Sequence, residues 1–404
     1  MAFAFTAPLR RELAAAFPER PFAVDFWDGS RVEPTAAGPT FRVRSPRAIA
    51  HALRATGQLG IGRAYVSGEL EVDDIDLVMD LLEEWKPPTL AAPARLRLLA
   101  AALAANGLTL PPAPPRAELR PRGTRRSKER DARSVRHHYD LPPEFFALFL
   151  DESMTYSCAI FSRGATTLEQ AQEAKLEMVC TKLALEPGER ILDIGCGWGS
   201  FAVHAAVHHG AEVVGITLSE PQARVARERA AAAGVADRVE IRVMDYRDLA
   251  GERYDAIASI GMVEHVGAER IDLYAERLAA LLPPGGRLLN HGIARLRHSD
   301  PEAGPFSERY VFPDALPLHL SRSTLALERA GFTIEHVEGF ADDYAETLRH
   351  WARRLDTRLP DARRLAGDER VRVWRLYLRA ARNGFETGFT SIYQSLCRLP
   401  GPRE

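Results

Sequence analysis

The chain has 404 residues, more than one ordinary domain needs, and its 46% apolar and 27% charged residues describe a globular polypeptide with a real core. A formal net charge of −2 gives no bulk attraction for nucleic acid or an acidic partner, so any basic surface must be local. Cys158, Cys180, Cys196 and Cys397 form no C-x-x-C pair and stand in no His cluster at ligand spacing, and no uncharged apolar run approaches the ~20 residues that cross a bilayer; a reduced cytoplasmic protein, without a metal site and not integral to a membrane, is the simple reading.

In chain order, residues 20–86 read as a small α+β domain. Residues 22–27 form a strand, Asp28-Gly29-Ser30 a hairpin turn and residues 40–43 the partner strand, followed by a helix over 46–56. Leu77, Val78, Leu81 and Leu82 recur at helical spacing. Tyr65, Val66, Gly68, Glu69 and Leu70 read as core and turn. Prolines then crowd a linker over 91–134, whose one helix, over 92–105, ends at Asn106-Gly107. Between 116 and 136 it carries nine Arg or Lys against three acids, a composition that fits a solvated tether or attraction to anionic lipid head groups. The expected division is thus 1–90, a small domain with a lipid-related role, 91–134, the linker, and 135–404, a catalytic domain.

From residue 135 the chain turns aromatic and polar, and a helix over 168–183 leads to a strand at 190–194. Strands and helices then alternate at 212–216, 221–233, 239–243, 254–260, 271–282 and 287–291, as in a parallel doubly wound sheet whose ligands lie beyond the C-terminal strand ends. At the first of those ends stands Asp193-Ile194-Gly195-Cys196-Gly197-Trp198-Gly199-Ser200. Glycines at 195, 197 and 199 let a ligand approach the backbone, and the following helix aims its N-terminal amides at the turn. A dinucleotide fingerprint requires glycine where Ser200 stands, so the D-x-G-x-G-x-G spacing favours S-adenosylmethionine over NAD.

The longer motif set resembles the cyclopropane-fatty-acyl-phospholipid and mycolic-acid cyclopropane synthases, a group of S-adenosylmethionine-dependent methyltransferases. The resemblance rests on His138-Tyr139-Asp140, Met154-Thr155-Tyr156-Ser157-Cys158, the glycine turn, Gly215-Ile216-Thr217-Leu218-Ser219, Asp245-Tyr246-Arg247-Asp248, Ser259-Ile260-Gly261-Met262-Val263-Glu264-His265-Val266-Gly267, His291-Gly292-Ile293 and Tyr310-Val311-Phe312-Pro313. It covers about residues 135–395 strongly, and the N-terminal domain more loosely resembles that of phospholipid-acting members. It implies a Rossmann-like class I methyltransferase sheet.

For the cofactor, the resemblance implies Tyr156 and Ser157 at the methionine end, Asp193, Gly195 and Gly197 beneath it, and Thr217, Leu218 and Gln222 near ribose and adenine. Asp245, Tyr246 and Arg247 stand at the adenine edge, where mycolic-acid members carry Trp-Glu in place of Tyr246-Arg247. For the reaction, it implies methyl transfer to the cis double bond of an unsaturated phospholipid acyl chain. The resulting carbocation loses a proton to a bicarbonate held by Glu264, His291, Tyr344, Cys158 and Ile293, the last two mainly by backbone. A protein peripheral to the inner face of the membrane, and a homodimer, are further expectations. Loss of a different proton would give a methyl- or methylene-branched lipid instead; a small-molecule methyltransferase and a non-catalytic lipid-binding module are the rival classes.

Overall fold

The computed structural model describes residues 6–55, 57–107, 109–119, 127–131, 133, 141–299, 304–312 and 314–401. Two compact units emerge. One holds the described residues up to Leu119 together with Gly304–Val311 and Ala366–Ala380, and the other holds the rest. These limits differ from the boundaries expected at 90 and 134, because two segments distant in sequence return to the first unit, which composition read along the chain does not reveal.

In the first unit, strands β1 (Ala23–Asp25), β2 (Arg31–Val32), β3 (Thr40–Val43) and β4 (Leu70–Val72) form a sheet in the order β2-β1-β3-β4. The expected pairing of 22–27 with 40–43 as a hairpin is corrected: β3 runs parallel to β1, and the antiparallel partner is the two-residue β2. The turn at Asp28-Gly29-Ser30 closes at once, with the Phe26 amide donating to Ser30 O at 2.8 Å, so the chain has already paired before it reaches Thr40. Helices Ala7–Ala16 and Ala92–Asn106 supply Leu9, Ala101 and Ala105 to a core with Phe26 and Val32, which makes the helix read as part of a linker a member of this unit. Tyr65 and Val66 are buried, as a core reading requires. Arg63 grips Glu118 through two bonds of 2.7 and 2.6 Å, and the Tyr310 hydroxyl donates to the same carboxylate at 3.0 Å.

The second unit is built on β5 (Arg190–Ile194), β6 (Glu212–Thr217), β7 (Val239–Val243), β8 (Ala256–Ile260), β9 (Arg287–Arg295), β10 (Thr333–Gly339) and β11 (Thr390–Arg398), ordered β10-β11-β9-β8-β5-β6-β7. From β9 to β7 neighbours are parallel, while β11 is antiparallel to both β9 and β10. Continuous apolar runs such as Ile191-Leu192 and Val213-Val214 work here because helices cover both faces and successive residues point oppositely. Ile191 and Val213 join the core with Val179, Phe201 and Ala226, while Leu192 and Val214 join Tyr254, Ile257 and Leu278. The doubly wound α/β sheet is therefore as expected. Because β5 pairs with β6 on one side and β8 on the other, a crevice opens beyond the C-terminal ends of β5 and β8.

Candidate active site

The glycine turn after β5 is fastened to the neighbouring strand by the amides of Gly195 and Cys196, both donating to Ile216 O at 3.0 Å. Gly195, Gly197 and Gly199 all have positive φ, +78°, +54° and +83°. Their reasons differ. At Gly199, which precedes helix Ser200–His208, an added Cβ would stand 2.9 Å from Ala226 Cβ, so packing demands glycine; at Gly197 it would meet no atom within 4 Å and would project into open space.

One pocket occupies that space. Its lining includes all eleven residues expected against the cofactor: Tyr156, Ser157, Asp193, Gly195, Gly197, Thr217, Leu218, Gln222, Asp245, Tyr246 and Arg247. The loop carrying Tyr156 and Ser157 is locked from below by Asp151, which accepts from the amides of Ser153 (2.9 Å) and Thr155 (3.0 Å), and by Gln172, whose Nε2 donates to Ser157 O at 2.8 Å. Thr217 donates to Gln222 Oε1 at 2.8 Å, joining the end of β6 to helix Glu220–Ala232. Arg247 stacks over the Tyr246 ring and grips Asp245, with Nε–Oδ1 at 2.8 Å and Nη2–Oδ2 at 2.6 Å, while reaching Asp131 at 2.9 Å. Burial opposes ionisation of Asp245, but the Arg247 bonds hold its carboxyl below the usual range. The departure from Trp-Glu thus keeps an aromatic ring and a carboxylate at this edge, the latter two residues earlier.

Lys175 also lines the pocket, buried, with Nζ 3.1 Å from Ser157 Oγ. Burial pulls it down to about 8, against the opposing pull of Asp151, Cys158 and Asp193. Asp193 is pushed up to about 7 by burial, partly offset by Lys175, and its Oδ2 has no partner among the described residues. Sequence reading missed Lys175. Its signal is a lysine in step with the buried stripe Leu168, Ala171, Leu176 and Val179 of helix Leu168–Lys182, where a solvated side chain is not expected.

Of the five residues expected at the reaction centre, none lines this pocket. Glu264, in the short helix Val263–Val266, is buried; its Oε1 accepts from the Ile293 amide at 2.7 Å, and its Oε2 has no partner among the described residues. Burial pushes it up to about 7 despite that bond. The Ile293 amide, expected to face a bound anion, is thereby committed to Glu264. His291 is fully buried on β9, and burial, then Lys175 and Lys182, pull it down to about 3. Its tautomer follows from its neighbours: Lys182 Nζ donates to Gln394 Oε1 at 2.7 Å, which turns the Gln394 amide nitrogen toward His291 Nδ1 at 3.4 Å. Nδ1 accepts, so Nε2 carries the proton, and Nε2 too is buried without a partner among the described residues. Phe340 connects the rest of the group. Its ring lies 6.3 Å from His291, its carbonyl accepts the Tyr344 amide at 3.0 Å, and Cys158 Sγ lies 3.8 Å from that same carbonyl. Cys158 is fully buried and its thiol is pushed well up by burial, which makes it a small hydrophobe and not a nucleophile. Tyr344 packs edge-on to Trp351, which stacks at 5.1 Å on Tyr156 of the pocket wall.

Three further sequence readings concern residues away from these groups. His138-Tyr139-Asp140 and Pro313 lie outside the described residues. In the basic stretch, Lys128 pairs with Asp248, and Arg130 pairs with Asp314 at 2.6 Å, so these two serve the second unit's own acids. And the absence of a Cys/His cluster is corrected: Cys180, His204 and His209 bring ligand atoms within 4.8 Å of one another, an encounter between two helices that spacing in the sequence does not display.

Residues 126–395 match the family described as Mycolic acid cyclopropane synthetase. The chain belongs to that family. It is 38% identical to a probable fatty acid methyltransferase of Mycobacterium tuberculosis, over 97% of this chain and 94% of the relative. It is 33% identical to the cyclopropane-fatty-acyl-phospholipid synthase of Escherichia coli, over 89% and 87%. The crystal structure of mycolic acid cyclopropane synthase CmaA1 complexed with SAH and CTAB superposes with a TM-score of 0.63 at 32% identity, covering 66% of this chain and 98% of that one. That superposition confirms the class I methyltransferase architecture expected for the second unit, and it makes family membership rest on structure as well as sequence.

Proposed function

We propose that the chain is an S-adenosylmethionine-dependent enzyme that methylates the cis double bond of an unsaturated phospholipid acyl chain and closes the product to a cyclopropane. The observation that carries ring closure is the pair of buried, uncommitted polar atoms Glu264 Oε2 and His291 Nε2 in the same unit as the glycine pocket. Burying such atoms without partners costs about 1–3 kcal/mol each, an arrangement that makes sense where a small polar species completes it.

The pocket fits the cofactor on its own evidence. Gly197 leaves space where any side chain would intrude, and Lys175 and Asp193 present one cation and one unpartnered carboxyl to the zwitterionic methionine end. S-adenosylmethionine supplies an electrophilic methyl group on sulfur. Tyr156 and Ser157 orient the methionine end, Thr217, Leu218 and Gln222 the ribose and adenine, and Asp245, Tyr246 and Arg247 the adenine edge.

Glu264 and His291 would hold a bicarbonate through Oε2 and Nε2, the two buried atoms left without a partner among the described residues. His291 is neutral with hydrogen on Nε2 and so offers a donor, and Glu264, which burial raises to about 7, offers a second donor in its protonated form. Bound there, the ion would supply a base for a proton of the transferred methyl group. The residues' own task is to keep that base in a dry, apolar setting, where a free carboxylate beside a hydrocarbon would be costly. The resemblance to the Escherichia coli phospholipid enzyme over most of both chains supports phospholipid as the substrate, and the work would then lie at the inner membrane surface. Exposed Leu96, Leu99 and Leu103, at helical spacing on helix Ala92–Asn106, support peripheral attachment.

A second reading, methyl or methylene branching of the acyl chain, is favoured by the similarity to a probable fatty acid methyltransferase. Lipid extracts of cells expressing the chain decide between them. Cyclopropane formation predicts unsaturated phospholipids heavier by about 14 mass units, with upfield ring-proton resonances and no new vinyl protons. Vinylidene or methyl-branch signals instead would assign the branching reaction.

A further inference from the structure

We propose that Glu177, Cys180, His204 and His209 form a zinc-binding site, separate from the pocket and from the Glu264–His291 group, that clasps helix Leu168–Lys182 to helix Ser200–His208. Glu177 and Cys180 are three residues apart on the first helix and so share a face. His204 lies within the second helix and His209 caps its end, its amide still donating to Ala205 O at 3.0 Å. Glu177 Oε2 stands 3.2 Å from His204 Nε2 and 3.0 Å from His209 Nε2. Zinc takes nitrogen and oxygen ligands at about 2.0–2.2 Å, so two of them at a tetrahedral angle stand roughly 3.3 Å apart. The carboxylate oxygen thus already stands at ligand spacing from both imidazoles. The donor atoms of Cys180, His204 and His209 all fall within 4.8 Å of one another, and the thiol completes the set by moving inward to the zinc–sulfur distance of about 2.3 Å.

The donor types choose the ion. One thiolate, two imidazoles and a carboxylate suit zinc, whereas calcium and magnesium prefer all-oxygen shells. An ion-pair cluster alone would use Glu177 and the histidines and leave Cys180 as a small apolar residue of the core beside them. On binding, a zinc–sulfur bond forms and the thiol proton passes to solvent, while the imidazoles bind as neutral ligands. The site's consequence is positional: the first helix carries Gln172 and Lys175, which hold Ser157, and the second opens at the glycine turn.

The test uses the full chain, stripped with a chelator and titrated with zinc chloride against a chromophoric competitor. One zinc per chain is expected. His204→Gln and His209→Gln, which keep a hydrogen-bond donor for Glu177 but remove the imidazole, and Cys180→Ser should each weaken binding at least about tenfold, with circular dichroism confirming folded variants. Cobalt(II) in place of zinc should give a near-ultraviolet thiolate charge-transfer band that Cys180→Ser abolishes. Absence of stoichiometric zinc, affinity unchanged in the two histidine variants, or a cobalt complex without the thiolate band would overturn the site. If Cys180→Ser does not fold, the histidine variants and the wild-type cobalt spectrum still decide.

Discussion

Glu264 is secured at one oxygen and uncommitted at the other, and that asymmetry has a measurable signature in stability. Its carboxyl is raised from 4.5 to about 7 in the folded chain, so the folded state holds its proton longer than the unfolded state does. The associated stability is fully present below pH 4.5 and is lost as pH rises through 7. Glu264→Gln removes this dependence, so the melting temperature of the variant should gain on that of the wild type as pH rises from 4.5 toward 8. The difference is worth on the order of 3 kcal/mol at the upper end. A constant gap between the two curves would mean that Glu264 is not the buried acid described. In catalysis the same variant should retain S-adenosylhomocysteine binding while losing roughly 10²–10⁴ in turnover, the usual worth of a positioned base. Stripping dissolved carbon dioxide should slow the wild type and added bicarbonate should restore it; indifference to carbonate would assign proton removal to a protein group. At this scale the sequence was legible where pocket-lining residues sit close to a strand end, as with Asp193, Thr217 and Asp245. It was silent on Gln394, whose role depends on β11 lying beside β9 with Gln394 opposite His291.

Among the elements, the turn between β5 and helix Ser200–His208 separates two uses of glycine. Gly199→Ala places a methyl against Ala226 in a left-handed backbone and should cost about 1–3 kcal/mol of stability. Gly197→Ala carries the backbone strain alone, about 1–2 kcal/mol, yet should weaken S-adenosylhomocysteine binding more than tenfold, because its methyl enters the ligand's space. Calorimetry beside thermal melts distinguishes the two; equal losses of affinity at both positions would contradict the assignment of the cradle to Gly197. The parallel strands were readable because both faces are covered, giving unbroken apolar runs. By contrast β11 buries Ser391, Gln394 and Ser395 alongside Ile392 and Cys397, so no apolar run marks it as an interior strand. β2 was missed for a simpler reason: two residues carry no period.

Over the whole molecule, the first unit is discontinuous in sequence, and this changes what truncation can achieve. Removing the chain before residue 120 would strip Tyr310 and Arg379 of Glu118 and Asp76, so it is not a clean removal of a domain. A point change is the better probe. Glu118→Gln leaves the Arg63 guanidinium buried without its counter-charge and should cost about 3 kcal/mol, read as an early transition in thermal unfolding of the full chain. A variant that melts like the wild type would show that this pair does not hold the unit together. The proposal as a whole rests on where the transferred carbon ends up. Full-length protein, vesicles of a phospholipid with a cis-unsaturated chain, and S-adenosylmethionine carrying ¹³C in its methyl group provide that measurement by carbon NMR of the recovered lipid. Cyclopropanation places the label in a ring CH₂ between the two former alkene carbons. Label in a methyl branch or an exocyclic methylene, or lipid recovered unlabelled, would contradict it.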